Sequence, residues 1–137
     1  MRTIVLDNEA IQALETSTHP KHRRVLSHLE CAASRRRRGR NVEAVVPTSV
    51  RVEAGWDRTN PTAALLNRFR VRDHHLDGQA ANIAASVVSS GVVSSIADAH
   101  IGATVRGTLG DDVVVISSDP HDMAAACAPA PVRIVSI

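Results

Sequence analysis

Residues 113–122 read Val-Val-Val-Ile-Ser-Ser-Asp-Pro-His-Asp, and residues 3–7 read Thr-Ile-Val-Leu-Asp. Both are β-branched apolar runs bounded by polar turn residues, and each closes on an aspartate, Asp119 in one and Asp7 in the other. Runs of this kind are strands buried on both faces, the habit of a parallel sheet. In an open α/β sheet, ligands bind just outside the carboxyl ends of the strands, where both aspartates fall.

Working outward, the remaining segments supply the helices and strands such a sheet needs. A short helix is expected from about Asn8 to Leu14, with Asp7 as a possible N-cap. Thr16 to Pro20 reads as a turn and helix start, with proline near the first helical position. Val25, Leu26 and Leu29 form a stripe running through Ala32 and Ala33, which Gly39 ends. Val42 to Val46 is the second strand, stopped at Pro47, and Thr48 or Ser49 then caps a helix carrying Val50, Glu53 and Ala54. Asn60-Pro61 opens a short helix through Leu66, and Phe69 to Arg72 alternates like a short strand. From His75 to Ser89 apolar residues recur at helical spacing, with a turn at Ser90-Gly91. Ser95 begins another helix, with Ile101, Val105 and Leu109 on its buried side and Gly107 or Gly110 at its end. Val113 to Ile116 is expected as the central strand, Pro120 to Ala128 as a helix and Val132 to Val135 as the last strand. Strands alternating with helices predict one α/β/α domain over 1–137, with a mainly parallel sheet of about five strands.

Two further acids, Glu53 and Asp98, lie at or inside the starts of later helices and can face the same crevice as Asp7 and Asp119. Carboxylates crowded together repel, and lose charge by pKa shift unless a cation joins them. A hard divalent metal and metal-assisted phosphodiester cleavage are the chemistry such a set suits. Each acid also has a plainer reading. Asp119 with Pro120 and Asp122 makes a good helix start, Ser95 and Asp98 have capping-box spacing, and Asp7 can cap as well. Glu53 has no Ser or Thr three positions before it and sits among Val50, Val52 and Ala54, so it wants solvent, an arginine or a metal.

Val5-Leu6-Asp7, Val50-Arg51-Val52-Glu53, Ile96-Ala97-Asp98-Ala99-His100 and Ile116-Ser117-Ser118-Asp119-Pro120-His121-Asp122 follow one another in this order. Together they resemble the PIN-domain family of metal-dependent ribonucleases, and within it the compact VapC-type toxins of bacterial toxin–antitoxin pairs. The resemblance spans nearly the whole chain; Asn8-Glu9 departs from it, standing where the family has small residues. It implies an endoribonuclease in which Asp7, Glu53, Asp98 and Asp119 hold Mg²⁺ or Mn²⁺. It further implies supporting roles for Ser117 and Asp122, a small cognate antitoxin over the crevice, and a homodimer; Asn8 can touch the site from beside Asp7, with an exposed amide as its plainer reading. A catalytically silent PIN-like module binding RNA or protein, and a DNA or small-phosphoester hydrolase on the same scaffold, remain open alternatives.

Composition narrows the field. Net charge is only +2, yet half of the 16 basic residues fall between Lys21 and Arg40, against a single acid, Glu30. Arg35, Arg36, Arg37, Arg38 and Arg40, with Arg51 nearer the acids, are candidate RNA contacts, since a guanidinium fork suits phosphate; a solvated helix end is the plainer reading. Trp56 and Phe69 are the only aromatics, which excludes a base-stacking sheet face. Cys31 and Cys127 lack CxxC spacing, so neither a zinc site nor a disulfide framework is indicated, and a reduced cytoplasmic setting fits. The uncharged stretch 78–97 carries Gln79, Asn82 and five serines, too polar for a bilayer span. His19, His22, His28, His74 and His75 lack the pairing of zinc hydrolases and read as surface or cap residues, and His100, two positions after Asp98, points to a different helix face. GxxxxGK[ST], GxGxxG after a strand and GxSxG are all missing, which argues against P-loop, dinucleotide and serine-hydrolase sites.

Overall fold

The structure is a computed structural model and describes residues 1–108 and 112–137. Leu109 and Gly110, expected at the end of the sixth helix, lie outside the described residues. The described strands are β1 (Arg2–Leu6), β2 (Val42–Pro47), β3 (Arg72–His74), β4 (Asp112–Ser117) and β5 (Arg133–Ser136). They form one sheet in the order β3-β2-β1-β4-β5, with every neighbouring pair parallel. β1 is therefore the central strand rather than β4, because both β2 and β4 pair with it.

The chain steps from β1 outward to β3, then crosses back to β4 on the other side of β1. The direction of winding reverses between β1 and β4, which opens a crevice at their carboxyl ends. Right-handed crossovers set α1 (Asn8–Glu15), α2 (His22–Arg37) and α4 (Ala64–Arg68) on one face, and α5 (Gly78–Ser89), α6 (Ile96–Arg106) and α7 (Pro120–Cys127) on the other. The short α3 (Thr48–Ala54) touches both α1 and α6 and spans the carboxyl end of the sheet. This is the α/β/α layering expected from the strand runs.

Local chemistry accounts for most boundaries and for the departures. Asp7, Asp77, Ser95 and Asp119 each cap a helix through a side-chain oxygen. Asp77 thus delays α5 to Gly78, past the histidines where the helix was expected. Pro20 stays in the turn before α2. Neither Thr48 nor Ser49 caps α3: the Thr48 hydroxyl accepts from the Leu76 amide at 3.3 Å, and Ser49 Oγ lies 3.0 Å from His100 Nδ1. The short strand begins at Arg72 rather than Phe69, because Phe69 closes α4 and Arg70 turns into the left-handed region at φ 56°.

α6 is the most enclosed helix. Residues 99–105 are all buried, including His100 at 0% exposure, because α5, α7 and the sheet cover it on several sides. Gly102 lets α7 come close: a β-carbon there would sit 2.5 Å from the Ala126 carbonyl oxygen. Two core clusters result, a large one over β1, β2 and β4 and a smaller one of Ala80, Ala84, Val87, Val93, Ala99, Ala103 and Ala126 between α5, α6 and α7. No helix among the described residues is long and apolar enough to cross a membrane.

Candidate metal centre

Asp7 follows the last residue of β1 and is only 6% exposed. Its Oδ1 accepts from the Ala10 amide at 2.8 Å, and its Oδ2 from the Ser118 amide at 3.1 Å. The Ser117 hydroxyl also bonds the carboxylate. Burial raises the Asp7 pKa, and the bonds from Ala10, Ser117 and Ser118 oppose that rise. Cap and crevice residue are therefore one role here, since the same bonds that cap α1 fix the carboxylate and tie β1 to the end of β4.

Glu53 stands otherwise than its sequence neighbours suggested. α3 buries only Val50, Val52 is 83% exposed, and Glu53 is exposed beside it. The helix is too short to cover the sheet and instead holds Glu53 over the crevice rim. There Asn8 Nδ2 donates to Oε1 at 3.2 Å and Ser95 Oγ to Oε2 at 3.3 Å. Asn8, expected as an exposed amide, is half-buried and joined to the site through Glu53. Ser95 also accepts from the Asp98 amide at 3.3 Å, so one hydroxyl links Glu53 to the start of α6.

On the opposite wall, the Asp119 amide donates to buried Ser117 Oγ at 2.9 Å, and Asp119 Oδ1 accepts from the Asp122 amide at 3.4 Å. The carboxyls of Asp119 and Asp122 hydrogen-bond to each other, which raises the Asp122 pKa. Glu9 turns away toward the α1–α2 connection, where it meets His19 Nε2 at 2.9 Å.

Asp98 is where the two walls meet electrostatically. Partial burial, then the charges of Glu53, Asp7, Asp119 and Asp122 in that order, push its pKa up to about 6. All four of those carboxyls lie near enough to act on Asp98 through their charge. Among the described residues, no three acids, histidines or cysteines are placed together so that they could hold a metal ion. The set still fits a hard divalent ion by donor type, since all are carboxylate oxygens, and by charge, since a cation would relieve the load on Asp98.

The arginines divide. Arg35 to Arg38 end α2 at the amino end of the sheet, where the Arg2 amide bonds the Asn41 carbonyl at 2.9 Å. The six-residue β2 separates that end from the crevice by roughly 20 Å. Arg51, nearer the acids, is already engaged: Nη1 pairs with Asp73 at 2.8 Å and the guanidinium lies 5.4 Å from the Trp56 ring centre.

His74, expected as a surface or cap residue, is corrected, and His100 faces away from Asp98 as its spacing predicts. His74 Nδ1 lies 3.1 Å from both His100 Nε2 and Thr104 Oγ1, inside a polar cluster completed by Ser49. Burial, with His74 adding to it, lowers the His100 pKa to about 4. An imidazole NMR titration should therefore find His100 neutral down to about pH 5; protonation near its ordinary 6.5 would mean that water reaches the cluster. The hint in the sequence was Asp98 and His100 two apart on one helix: when Asp98 faces the crevice, His100 must face the opposite, packed side.

No protein-family model matches the chain, and no curated protein does. Solved structures are similar in fold. A chain in the structure of FitAB bound to an IR36 DNA fragment superposes with a TM-score of 0.60 at 18% identity, over 97% of this chain and 94% of that one. A chain of FitAcB from Neisseria gonorrhoeae does so with a TM-score of 0.58 at 17% identity, over 97% and 96%. The architecture is thus the PIN-like α/β/α fold.

Proposed function

We propose that this chain is a Mg²⁺- or Mn²⁺-dependent endoribonuclease, the toxin of a toxin–antitoxin pair. The observation that carries the reading is the Asp98 carboxyl, charge-loaded by Glu53, Asp7, Asp119 and Asp122 at the carboxyl ends of β1 and β4. Asp7, Asp98, Asp119 and Glu53 would hold the ion or ions. The chemistry such an ion would supply there is activation of water as the nucleophile and charge neutralisation at the phosphate. The residues supply position and proton balance. The amides of Ala10 and Ser118 fix the Asp7 oxygens, and Ser117 bridges Asp7 to the start of α7. Asn8 and Ser95 aim Glu53. With its pKa near 6, Asp98 is mostly charged at pH 7 and available to a cation; acidification below 6 sets protons against metal there.

One of the chains similar in fold comes from FitAB bound to an IR36 DNA fragment. That supports a protein partner for this chain, a small antitoxin whose basic side chain would enter the acid crevice. A homodimer is part of the same reading. The absence, among the described residues, of any three acids, histidines or cysteines placed to hold a metal favours one rival, a silent PIN-like module that binds RNA or protein without metal. Calorimetry with Mn²⁺ separates them. We expect saturable binding to the wild type and about tenfold weaker binding to Glu53→Gln, the loss usual when a ligand or its orienting partner goes. No heat with the wild type, together with no Mn²⁺-dependent RNA cleavage, would leave the silent module standing.

A further inference from the structure

We propose a second, phosphate-binding site at the amino end of the sheet, formed where α2 meets the loop after α4. Arg36, Arg37, Arg68 and Arg70 line one cavity of about 370 Å³ with Ala33. An adjoining cavity of about 500 Å³ shares Ala33, Arg37 and Arg68 and adds Glu30 and Phe69, so the two form a continuous groove. Among the described residues none of these four guanidiniums is within ion-pair distance of a carboxylate, Glu30 included.

Four like charges around one hollow repel, and something must compensate them. The helix dipole accounts for part: Arg36 and Arg37 lie in the last turn of α2 and Arg68 in the last turn of α4. It does not account for Arg70, which lies beyond α4. That residue has φ 56°, a conformation that favours glycine, yet it carries a long cationic side chain that lines the cavity. Strain of this kind is retained where it aims a side chain at something. The loop is fastened in place: Arg36 Nη2 donates to the Phe69 carbonyl at 2.9 Å, and the Arg68 guanidinium lies 5.4 Å from the Phe69 ring centre. Arg36 thus sets the loop, while Arg37 and Arg70 hold forks free for paired bonds to phosphate oxygens. Arg35 and Arg40 line other surfaces, beside Arg2 and Asp112, and take no part. The ligand chemistry is the phosphate group, in the backbone of an RNA strand or in a small phosphate compound.

The test is anisotropy with a labelled single-stranded RNA, and calorimetry with pyrophosphate, both in EDTA on the full chain. EDTA removes any cleavage, so the result does not depend on whether the acid crevice is a nuclease. Arg70→Gly should melt at or above the wild-type temperature, because glycine relieves the backbone, and should weaken phosphate binding about fivefold or more. Adding Arg37→Gln should weaken it further and flatten the salt dependence by about 1.4, two contacts at roughly 0.7 each on a single strand. Weaker RNA binding assigns the site to a strand backbone, and weaker pyrophosphate binding alone assigns it to a small ligand. If both variants bind RNA and pyrophosphate as the wild type does, or neither probe binds the wild type, the proposal is wrong.

Discussion

Asp98→Asn should lower metal-dependent RNA cleavage by about a hundred- to a thousandfold, the loss seen when one preorganised electrostatic group goes, and should leave the metal-free protein more stable at pH 7. The two effects have one cause. The wild-type carboxyl is raised from 3.8 to about 6 by burial and by four acidic neighbours, so at pH 7 the fold holds a charge that the unfolded chain carries more comfortably. Between those two values the native state binds more protons than the unfolded one, so the Asp98 contribution to stability is fully present below about pH 4 and lost as pH rises through 6. The carboxyl is half-exposed, so most of the nominal energy is screened; about 1 kcal/mol remains, or about 3 °C in Tm for a domain of this size. Asparagine keeps the shape and removes the charge. His100 works in the opposite sense: its pKa, lowered to about 4, removes stability as pH falls below 6.5. The variant should consequently lose stability more steeply than the wild type between pH 6.5 and 4.5, because the opposing carboxyl is gone. Melting curves in EDTA across that range check both signs. A variant that melts well below wild type at pH 7 would make Asp98 a structural residue of α6 rather than a strained site acid.

Asp7 is a less clean target, for a reason only the fold reveals. Its position after Val5-Leu6 was enough to predict the strand end, and the Asn8 helix start made the cap legible. Nothing in the sequence announced that its second oxygen would receive an amide from Ser118, 111 positions away. Such long-range bonds depend on which strands become neighbours, and that order follows from crossovers rather than from any local pattern. Glu53 taught the converse. Its apolar neighbours in sequence left solvent, an arginine or a metal open as its surroundings; α3 is a single short helix with one buried residue, and periodicity over seven residues cannot tell a covering helix from a rim. The role of Ser95 was half legible: its capping of α6 follows from spacing, whereas its bond to Glu53 needed α3 and α6 side by side. Arg68 and Arg70 stand apart in sequence from the longer run at 35–40, with no local pattern linking them; the structure joins the middle of that run to them and leaves its ends elsewhere. The histidine cluster was missed because α6 read as one apolar stripe, when it is enclosed on several sides.

Among the described glycines, Gly102 is the one where an added methyl group, Gly102→Ala, should cost the most. In an exposed helix interior the change would gain roughly 1 kcal/mol from propensity. Here the new β-carbon would stand 2.5 Å from the Ala126 carbonyl oxygen and 3.1 Å from its carbon, and backbone cannot rotate aside as a side chain can. The helices must separate instead, opening the small-residue seam of Ala99, Ala103 and Ala126. The cost is at the upper end of overpacking, about 3 kcal/mol net of the propensity gain. The functional consequence follows from what these two helices carry. Asp98 lies in the first turn of α6 and Asp119 caps α7, so the closest approach of the two helices bears on the spacing between these acids. A shift of about an ångström there can cost a hundredfold in rate without touching a site residue. Denaturant unfolding should show the lost stability, and cleavage assays at a temperature where the variant remains folded should show lower kcat with Mn²⁺ affinity also reduced. Gly102→Ser should behave alike, since its β-carbon meets the same oxygen. If Gly102→Ala is as stable as the wild type, α6 and α7 are not in the contact described, and the position assigned to Asp98 opposite Asp119 loses its support.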